Sequence, residues 1–381
     1  MTEGGVCMLR YDPTVYAVGR EYQIVFAAAE NCIAWVECGG AAYRDSANGL
    51  MRSEGALHRV TVPMEALDRA RRYEVCLRSL PERRPYFPEL GPVERHAFGF
   101  RPLPAAGPFS AVMLADTHSM VEEPVRAARA AGAFDVLFLN GDIPAESKRT
   151  EDIESIFEIA GALTHGELPV VFARGNHDLR GRFATELPGF VGTRQGDMFF
   201  TFRLGPVWGI VLDCGEDKSD DDPEYGGLVD CHAMRLEETK YIRDVIRRAG
   251  EEFAEEGITT RIALCHIPFC TQTMGDYEPK FDIERETYAE WTRLLNAMDL
   301  DVMLSGHTHT VEAVRPGTDR MRYGANFPVV IGSRPVLPGR RPPYRKASFT
   351  GIRVSFDEGG VTVDTISDLF DPYPLDRFDK N

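Results

Sequence analysis

Short apolar runs alternate with amphipathic segments from residue 109 onward. The runs at Ala111–Ala115, Phe134–Leu139 and within Val170–Asp178 predict buried strands. Between them, Glu122–Ala131 and Glu151–Leu163 carry apolar residues at helical spacing, so each predicts an amphipathic helix that covers a sheet. Strands that alternate with helices are typical of a largely parallel α/β sheet.

The same texture continues toward the carboxyl terminus. Phe199–Leu204 and Val207–Asp213, which are joined at Gly205-Pro206, predict a hairpin that extends the sheet. The later predicted elements are helices at Arg235–Glu255, with Leu236 on its apolar face, and Glu284–Ala297, and strands at Thr260–Leu264, Val302–Leu304, Val329–Ile331, Gly351–Phe356 and Val361–Ile366. The last three strands are expected to be antiparallel and to form or complete a second sheet.

The first hundred residues have a different pattern, with runs rich in β-branched and aromatic residues between turn-forming residues. These runs are Tyr22–Ala28, Ile33–Glu37, His58–Pro63 and Arg72–Arg78. They predict a small β-sandwich. The proline-rich stretch Arg101–Pro108 predicts a boundary, so we expect a β domain at residues 1–105 and an α/β domain at residues 106–381.

Composition narrows the class of protein. The chain has 381 residues, which suits two domains, and its net charge of −16 disfavours a general nucleic-acid-coating role. The amino terminus has no signal-peptide pattern, and no apolar run is long enough to span a membrane, so we expect a cytoplasmic protein. The eight cysteines have no CxxC spacing and are expected to be reduced thiols.

Polar residues follow five of the apolar runs directly, where each predicted strand ends. Loops at the carboxyl ends of strands in a parallel sheet share one edge, so these side chains are expected to meet in one crevice. The set consists of Asp116, His118, Asp142, Asn176, His266, His307 and His309. Two carboxylates, one carboxamide and four imidazoles are too many ligands for one tetrahedral zinc, and the set lacks the thiolates of a structural site.

A pair of cations about 3.5–4 Å apart with one bridging carboxylate fits this set. Mixed nitrogen and oxygen ligands suit Mn, Fe, Zn or Co, and the sequence does not choose among them. Such ions activate water for attack on a phosphate ester, and the leaving group then needs a proton donor on the far side. His177, beside Asn176, is placed to be that donor.

These ordered motifs resemble the calcineurin-like metallophosphoesterase superfamily across roughly Phe109 to Thr310. The motifs are Asp116-Thr117-His118, Gly141-Asp142, Gly175-Asn176-His177-Asp178, His266 and Gly306-His307-Thr308-His309. The resemblance implies a four-layer αββα sandwich, preceded here by the small β-sandwich. It also implies one ion on Asp116, His118 and His309, a second on Asn176, His266 and His307, and Asp142 as the bridge. His177 would then contact phosphate and act as general acid, with Asp178 orienting it.

The amino-terminal module also loosely resembles the fibronectin-like domain of purple acid phosphatases. Those enzymes carry a tyrosine three residues after the bridging aspartate, where this chain has Ala145, and they lack a histidine at the position of His118. No tyrosinate-to-iron colour is therefore expected. The amino-terminal module is expected to shape access to the site or to mediate a homodimer.

The function predicted from the sequence is hydrolysis of a phosphate ester by in-line attack of a metal-bound hydroxide on a small phosphorylated substrate. Arg180 and Arg182 are weaker candidates for phosphate contacts. Two alternatives remain open, namely a phosphodiesterase acting on a cyclic nucleotide, lipid head group or nucleic-acid end, and a catalytically silent scaffold of the same fold. The acidic stretch Glu216–Glu224 has Tyr225 where a calcium loop needs glycine, so it predicts a solvated loop. No P-loop or serine-nucleophile motif occurs.

Overall fold

The computed structural model describes residues 8–272, 279–337 and 346–380. The strands in chain order are β1 (Thr14–Val18), β2 (Glu21–Ala27), β3 (Cys32–Cys38), β4 (Ala41–Arg44), β5 (Ser46–Ala47), β6 (Leu50–Met51), β7 (Leu57–Pro63), β8 (Arg72–Ser79), β9 (Val93–Gly99), β10 (Phe109–Leu114), β11 (Val136–Asn140), β12 (Pro169–Ala173), β13 (Phe200–Leu204), β14 (Val207–Leu212), β15 (Thr260–Cys265), β16 (Val302–Ser305), β17 (Glu312–Val314), β18 (Val329–Ile331), β19 (Arg334–Val336), β20 (Ser348–Asp357), β21 (Gly360–Ser367) and β22 (Tyr373–Asp379). The helices are α1 (Met64–Ala70), α2 (Glu122–Ala130), α3 (Thr150–Thr164), α4 (Leu187–Phe190), α5 (Cys231–Arg247) and α6 (Arg285–Asn296).

Two large sheets form the centre of the molecule. The ten-stranded sheet has the order β22-β21-β20-β10-β11-β12-β1-β2-β7, with β19 paired to β20, and the six-stranded sheet has the order β13-β14-β15-β16-β18-β17. Each has a parallel centre, made of β10, β11, β12 and β1 in the first sheet and of β14, β15, β16 and β18 in the second. Antiparallel strands flank both centres.

Three apolar layers hold the sheets and helices together. One core lies between the two sheets and includes Phe138 and Phe202. A second packs α2 and α3 on the outer face of the ten-stranded sheet, and a third packs α5 and α6 on the six-stranded sheet. The fold is therefore the expected four-layer αββα sandwich, because amphipathic helices bury their apolar stripes on sheets whose other faces already pack together.

The amino-terminal residues divide between sheets. Strands β3, β4, β8 and β9 form a separate four-stranded sheet, as expected of a β module. However, β1, β2 and β7 belong to the ten-stranded sheet, where Val15 and Tyr16 pair in parallel with Pro169 and Val170. Backbone hydrogen bonds therefore cross the predicted boundary at residue 105, and the division into two domains stays a prediction.

Two predicted elements differ from the structure. Helix α5 begins at Cys231 and ends at Arg247, where the sequence predicted residues 235–255, and Leu236 is 45% exposed although it was assigned to the apolar face. The tail strands do not form one antiparallel sheet. Val329–Ile331 runs parallel to β16, whereas β20 and β21 complete the other sheet beside β10.

None of the helices in the described ranges combines the length and the apolar character that a membrane crossing needs. The seven cysteines within those ranges are buried free thiols, and Cys214 and Cys265 lie with their sulfur atoms 3.4 Å apart. Cys7 lies outside the described residues.

Candidate metal centre and active site

The candidate ligands lie where loops from both large sheets meet. Strands β10, β11 and β12 of the ten-stranded sheet lead to Asp116, His118, Asp142 and Asn176, and strands β15 and β16 of the six-stranded sheet lead to His266, His307 and His309. The expectation of one shared sheet edge is therefore corrected. The residues meet because the two sheets face each other with their parallel centres in contact across a common core.

The first group of ligand atoms comprises Asp116, His118 and His309, and these atoms all lie within 4.8 Å of one another. His309 Nε2 is 3.5 Å from Asp116 Oδ1 and 2.9 Å from His118 Nε2. This trio is the one that the sequence assigned to the first ion.

The second group is centred on Asp142. His266 Nε2 lies 3.3 Å from Asp142 Oδ2 and 3.7 Å from Asp116 Oδ1. His307 Nδ1 lies 3.0 Å from Asn176 Oδ1. Asp142 belongs to two groups of possible ligand atoms, one with Asp116 and His266 and one with His118 and His177, so it lies next to members of both predicted ligand sets.

The loops that carry these ligands have unusual backbone geometry. Five of the seven ligand candidates have a left-handed backbone, namely Asp116 (φ 54°), His118 (φ 46°), Asp142 (φ 54°), His307 (φ 72°) and His309 (φ 54°). Residues other than glycine hold this conformation only when the surroundings enforce it, and such residues cluster at functional sites. Part of the enforcement is visible, because the backbone N–H of His307 donates to the Asp116 carboxylate at 3.0 Å.

Burial and charge set the protonation of the imidazoles. Burial lowers the pKa of both His118 and His307 to about 4, so both are neutral at pH 7 and have a lone pair to offer a cation. Burial also acts to lower the pKa of His266, but the carboxylates of Asp142 and Asp116 outweigh it and raise that pKa to about 10. Burial opposes ionisation of Asp142, yet His266 and neighbouring imidazoles hold its pKa below the usual range.

The side chains present fit a pair of transition-metal ions. His266 donates its Nδ1 hydrogen to the carbonyl of Asn140 at 2.7 Å, which directs Nε2 at Asp116 and Asp142. That Nε2 atom is buried and has no hydrogen-bond partner, which is costly unless an ion completes the group. Ligand atoms about 2.0–2.2 Å from one ion lie roughly 3–3.6 Å from each other, and the separations of 2.9, 3.3 and 3.5 Å found here are of that size.

His177 and Asp178 lie at the site, but their relation differs from the expected one. His177 Nδ1 donates to the carbonyl of Ala145 at 2.9 Å, and its ring packs edge-on against His118. Asp178 does not make that contact with the ring. Its Oδ2 accepts the backbone N–H groups of Gly175 at 2.7 Å and Asp142 at 3.1 Å, so it fixes two ligand loops rather than the His177 ring.

The two candidate arginines separate. The guanidinium of Arg180 is held by Glu216 through two 2.8 Å hydrogen bonds, and its Nη1 lies 3.3 Å from His177 Nε2. Arg182 is exposed and lies over the ring of Phe183, away from the ligands. Of these two arginines, only Arg180 lines the cavity of about 290 Å³ that opens beside His177 and the candidate ligands.

The cavity contains residues that the motifs did not indicate. Asp217 and Lys218 belong to the acidic stretch predicted to be a solvated loop, but both line the cavity, Lys218 is only 7% exposed, and Asp217 Oδ2 lies 3.9 Å from His307 Nε2. Arg322 and Tyr288 had no sequence signal, since each lies far along the chain from any motif.

Comparison with known proteins identifies the family of the chain. The family model described as calcineurin-like phosphoesterase matches residues 110–311, more than half of the chain. The serine/threonine-protein phosphatase CPPED1 of Bos taurus is 23% identical over 169 residues, which are 44% of this chain. They are 48% of that protein, so the chain spans about half the length of the curated relative it matches.

Solved structures share the fold at low sequence identity. Purple acid phosphatase PPD1 from yellow lupin (Lupinus luteus) seeds superposes with a TM-score of 0.60 at 12% identity, covering 95% of this chain and 73% of that one. PhoD superposes with a TM-score of 0.51 at 11% identity, covering 96% of this chain and 87% of that one. Both likenesses extend over the amino-terminal β module as well as the αββα sandwich.

Proposed function

The chain belongs to the calcineurin-like phosphoesterase family, and on that premise we propose that it hydrolyses a phosphate monoester with two transition-metal ions. The observation that carries the proposal is the convergence of the ligand set. Seven oxygen- and nitrogen-bearing side chains from five separate segments lie together, and the buried Nε2 of His266 makes no hydrogen bond although it lies 3.3 Å from Asp142 Oδ2. A catalytically silent scaffold would gain nothing from this arrangement, because a buried polar atom that makes no hydrogen bond lowers the stability of the fold.

The proposed division of labour follows from the atoms that face the cavity. When bound, the two ions would supply Lewis-acid activation of water and charge neutralisation for the phosphoryl group. Asp116, His118 and His309 would hold one ion, Asn176, His266 and His307 the other, and Asp142 both. Mn, Fe, Zn and Co all suit these ligands.

His177 and Arg180 would act on the substrate. The Ala145 carbonyl keeps the proton of His177 Nδ1, so Nε2 is the atom that faces Arg180 and the cavity. A phosphoryl oxygen that accepts a hydrogen bond from Arg180 Nη1 would free His177 Nε2 to hold a proton and donate it to the leaving oxygen. Glu216, which is fully buried, keeps Arg180 in position for that contact.

A monoester is favoured over a diester by the curated relative, which is named a protein phosphatase. The test uses enzyme repleted with Mn or Fe and compares 4-nitrophenyl phosphate with bis(4-nitrophenyl) phosphate. We expect a higher kcat/KM for the monoester and about two bound ions per chain. Faster turnover of the diester would assign a phosphodiesterase, and fewer than two ions without turnover would assign a scaffold.

A further inference from the structure

The cavity beside the candidate metal centre has two walls of different chemistry. One end is formed by ligand candidates and His177, and it would hold the phosphoryl group. The rest of the lining includes an apolar side formed by apolar and aromatic side chains, namely Ile267, Phe269, Phe281, Ile283 and Tyr288. Because His177, the proposed proton donor to the leaving oxygen, lines the same cavity, this apolar side is available to the leaving group of a bound ester.

The aromatic rings of the apolar side are held in place by packing against one another. Phe269 and Tyr288 stack with ring centroids 5.1 Å apart, and both pack edge-on against the buried ring of Trp291. The Lys218 Nζ lies 5.4 Å from the centre of the Phe281 ring. Aromatic walls fixed in this manner bind flat apolar groups at little cost in side-chain entropy.

The cations that line the cavity already have carboxylate partners. Arg180 is bound by Glu216, Lys218 lies 3.0 Å from Glu224 and 3.3 Å from Asp217, and Arg322 lies 3.4 Å from Asp282. A second phosphate on the leaving group would have to compete with these carboxylates. The cavity of about 290 Å³ is also at the small end of ligand pockets, which span about 300–1,000 Å³.

From this geometry we propose that the apolar side of the cavity binds a neutral aromatic ring on the leaving alcohol, so that the preferred substrates are phosphomonoesters of ring-bearing alcohols. The inference rests on the proposed function, because it names the substrate class of that reaction. Phe281 and Ile283 are the specificity-determining residues that the structure offers, since both are partly exposed in the cavity and neither is near a ligand candidate in the chain.

The test compares benzyl phosphate with ethyl phosphate, whose leaving groups are both alkyl alcohols and differ in the ring. With Mn-loaded enzyme we expect a KM roughly 10-fold lower for benzyl phosphate, from burial of the ring. Calorimetry with benzylphosphonate and ethylphosphonate, which are not hydrolysed, should show the same preference in Kd. Comparing free phosphotyrosine with a phosphotyrosine peptide then shows whether the ring belongs to a small molecule or to a polypeptide. A higher kcat/KM for either one than for ethyl phosphate supports the inference that a ring is bound.

Variants locate the preference. Phe281→Ala and Ile283→Ala should each remove most of the preference for the benzyl compounds and leave ethyl phosphate kinetics near the parent values. Phe370→Ala, which removes a 39% exposed ring elsewhere on the surface, should leave the preference intact. Equal Kd values for the two phosphonates, or a preference unchanged in both cavity variants, would overturn the inference. Loss of turnover of every ester, with the binding preference retained, would overturn the proposed function instead.

Discussion

The backbone of the ligand residues shows that the site is kept at a cost. A left-handed backbone costs roughly 1–2 kcal/mol per residue for side chains other than glycine, and five ligand candidates adopt it. Stability alone would favour glycine or asparagine at those positions. Aspartate and histidine at these positions place oxygen and nitrogen atoms in the candidate metal centre, so backbone strain and ligand chemistry point to the same residues.

The role of His177 can be separated from metal binding. Replacing His177 with alanine should leave the metal content near two ions per chain, since His177 is not one of the seven proposed ligands and its Nδ1 donates to the carbonyl of Ala145. Turnover of esters with poor leaving groups should fall about 10²–10⁴-fold, the usual contribution of general acid catalysis. Metal analysis and kcat for alkyl and nitrophenyl esters measure both effects. Equal losses for both esters would assign His177 to phosphate binding, and His232→Ala, 60% exposed, is the control.

Asp142 should be indispensable for both ions. Asp142→Ala removes the carboxylate that His266 approaches at 3.3 Å and that accepts the backbone N–H of His177 at 2.8 Å. We expect metal content to fall below one ion per chain and activity to reach background, as measured by elemental analysis after repletion with Mn. Asp197→Ala, at an exposed site, should retain both ions. Two tightly bound ions in the Asp142 variant would refute the bridging role.

Glu238 should make stability depend on pH. Burial raises its pKa well above the ordinary value of 4.5, Asp213 and Cys214 add to the rise, and Arg174 opposes it. Because the pKa of Glu238 is higher in the folded state than in the unfolded state, its contribution to the free energy of unfolding is fully present below about pH 4.5. It is lost as the pH rises through the folded pKa. Glu238→Gln has no titrating group at this position, so the melting temperature of the variant should rise relative to that of the parent between about pH 5 and pH 9. Glu237→Gln is the exposed control, and a gain independent of pH would contradict this account.

At the scale of elements, the turns after the strands bring the ligands together because glycine lets the segments approach closely. A Cβ at Gly141 would lie 2.5 Å from His266 Nδ1, and one at Gly175 would lie 2.3 Å from Asp142 Oδ1. Any larger residue would push a ligand away. The small residues in these motifs therefore belong to the site as much as the ligands do.

Gly306 allows a direct test of this close packing. A Cβ there would lie 2.7 Å from the Ala115 Cβ and 2.8 Å from Asp116 Oδ2. Gly306→Ala should destabilise the fold by about 1–3 kcal/mol and weaken cation binding, because Asp116 must move. Thermal melts with and without Mn measure both. Gly250→Ala meets nothing within 4 Å and should change neither. Unchanged cation affinity in the Gly306 variant would show that the turn accommodates a methyl group without displacing Asp116.

At the scale of the whole molecule, the amino-terminal strands and the catalytic sheet are one hydrogen-bonded unit. Strand β1 lies between β12 and β2, and Val15, Tyr16 and Ala17 are fully buried. The Asn176 and His177 loop leaves β12 directly, so β1 supports the strand that positions two site residues. This pairing is the physical basis for the expectation that the amino-terminal module affects the candidate site.

Deletion of residues 1–105 should therefore disrupt the catalytic part itself. Without β1, the edge of β12 has unpaired N–H and C=O groups and an uncovered apolar face, which favours aggregation. We expect the shortened chain to be insoluble or to lack a cooperative melting transition, as measured by soluble yield and circular dichroism. A shortened chain with the parent melting temperature and kinetics would contradict this view. The proposed homodimer is tested separately, by light scattering of the intact chain.

The sequence by itself determined the local elements and the family, and it indicated the candidate ligands. The spacing of apolar residues located α2 and α3 to within one or two residues, because it records which face of a helix is buried. Runs of β-branched and aromatic residues between turn residues located β7 and β8 equally well. The order of the motifs identified the family, and the donor atoms named from it lie together.

Only the tertiary structure decided which strands pair and which neutral groups serve the site. The parallel pairing of β1 with β12 joins residues more than 150 positions apart, and no local pattern records such a partner. Ala145 orients His177 through a carbonyl group that every residue of the chain possesses, so its sequence position carried no signal. The aromatic cavity wall likewise depends on loops folding against α6, since side-chain chemistry is written in the sequence whereas proximity is decided by the fold.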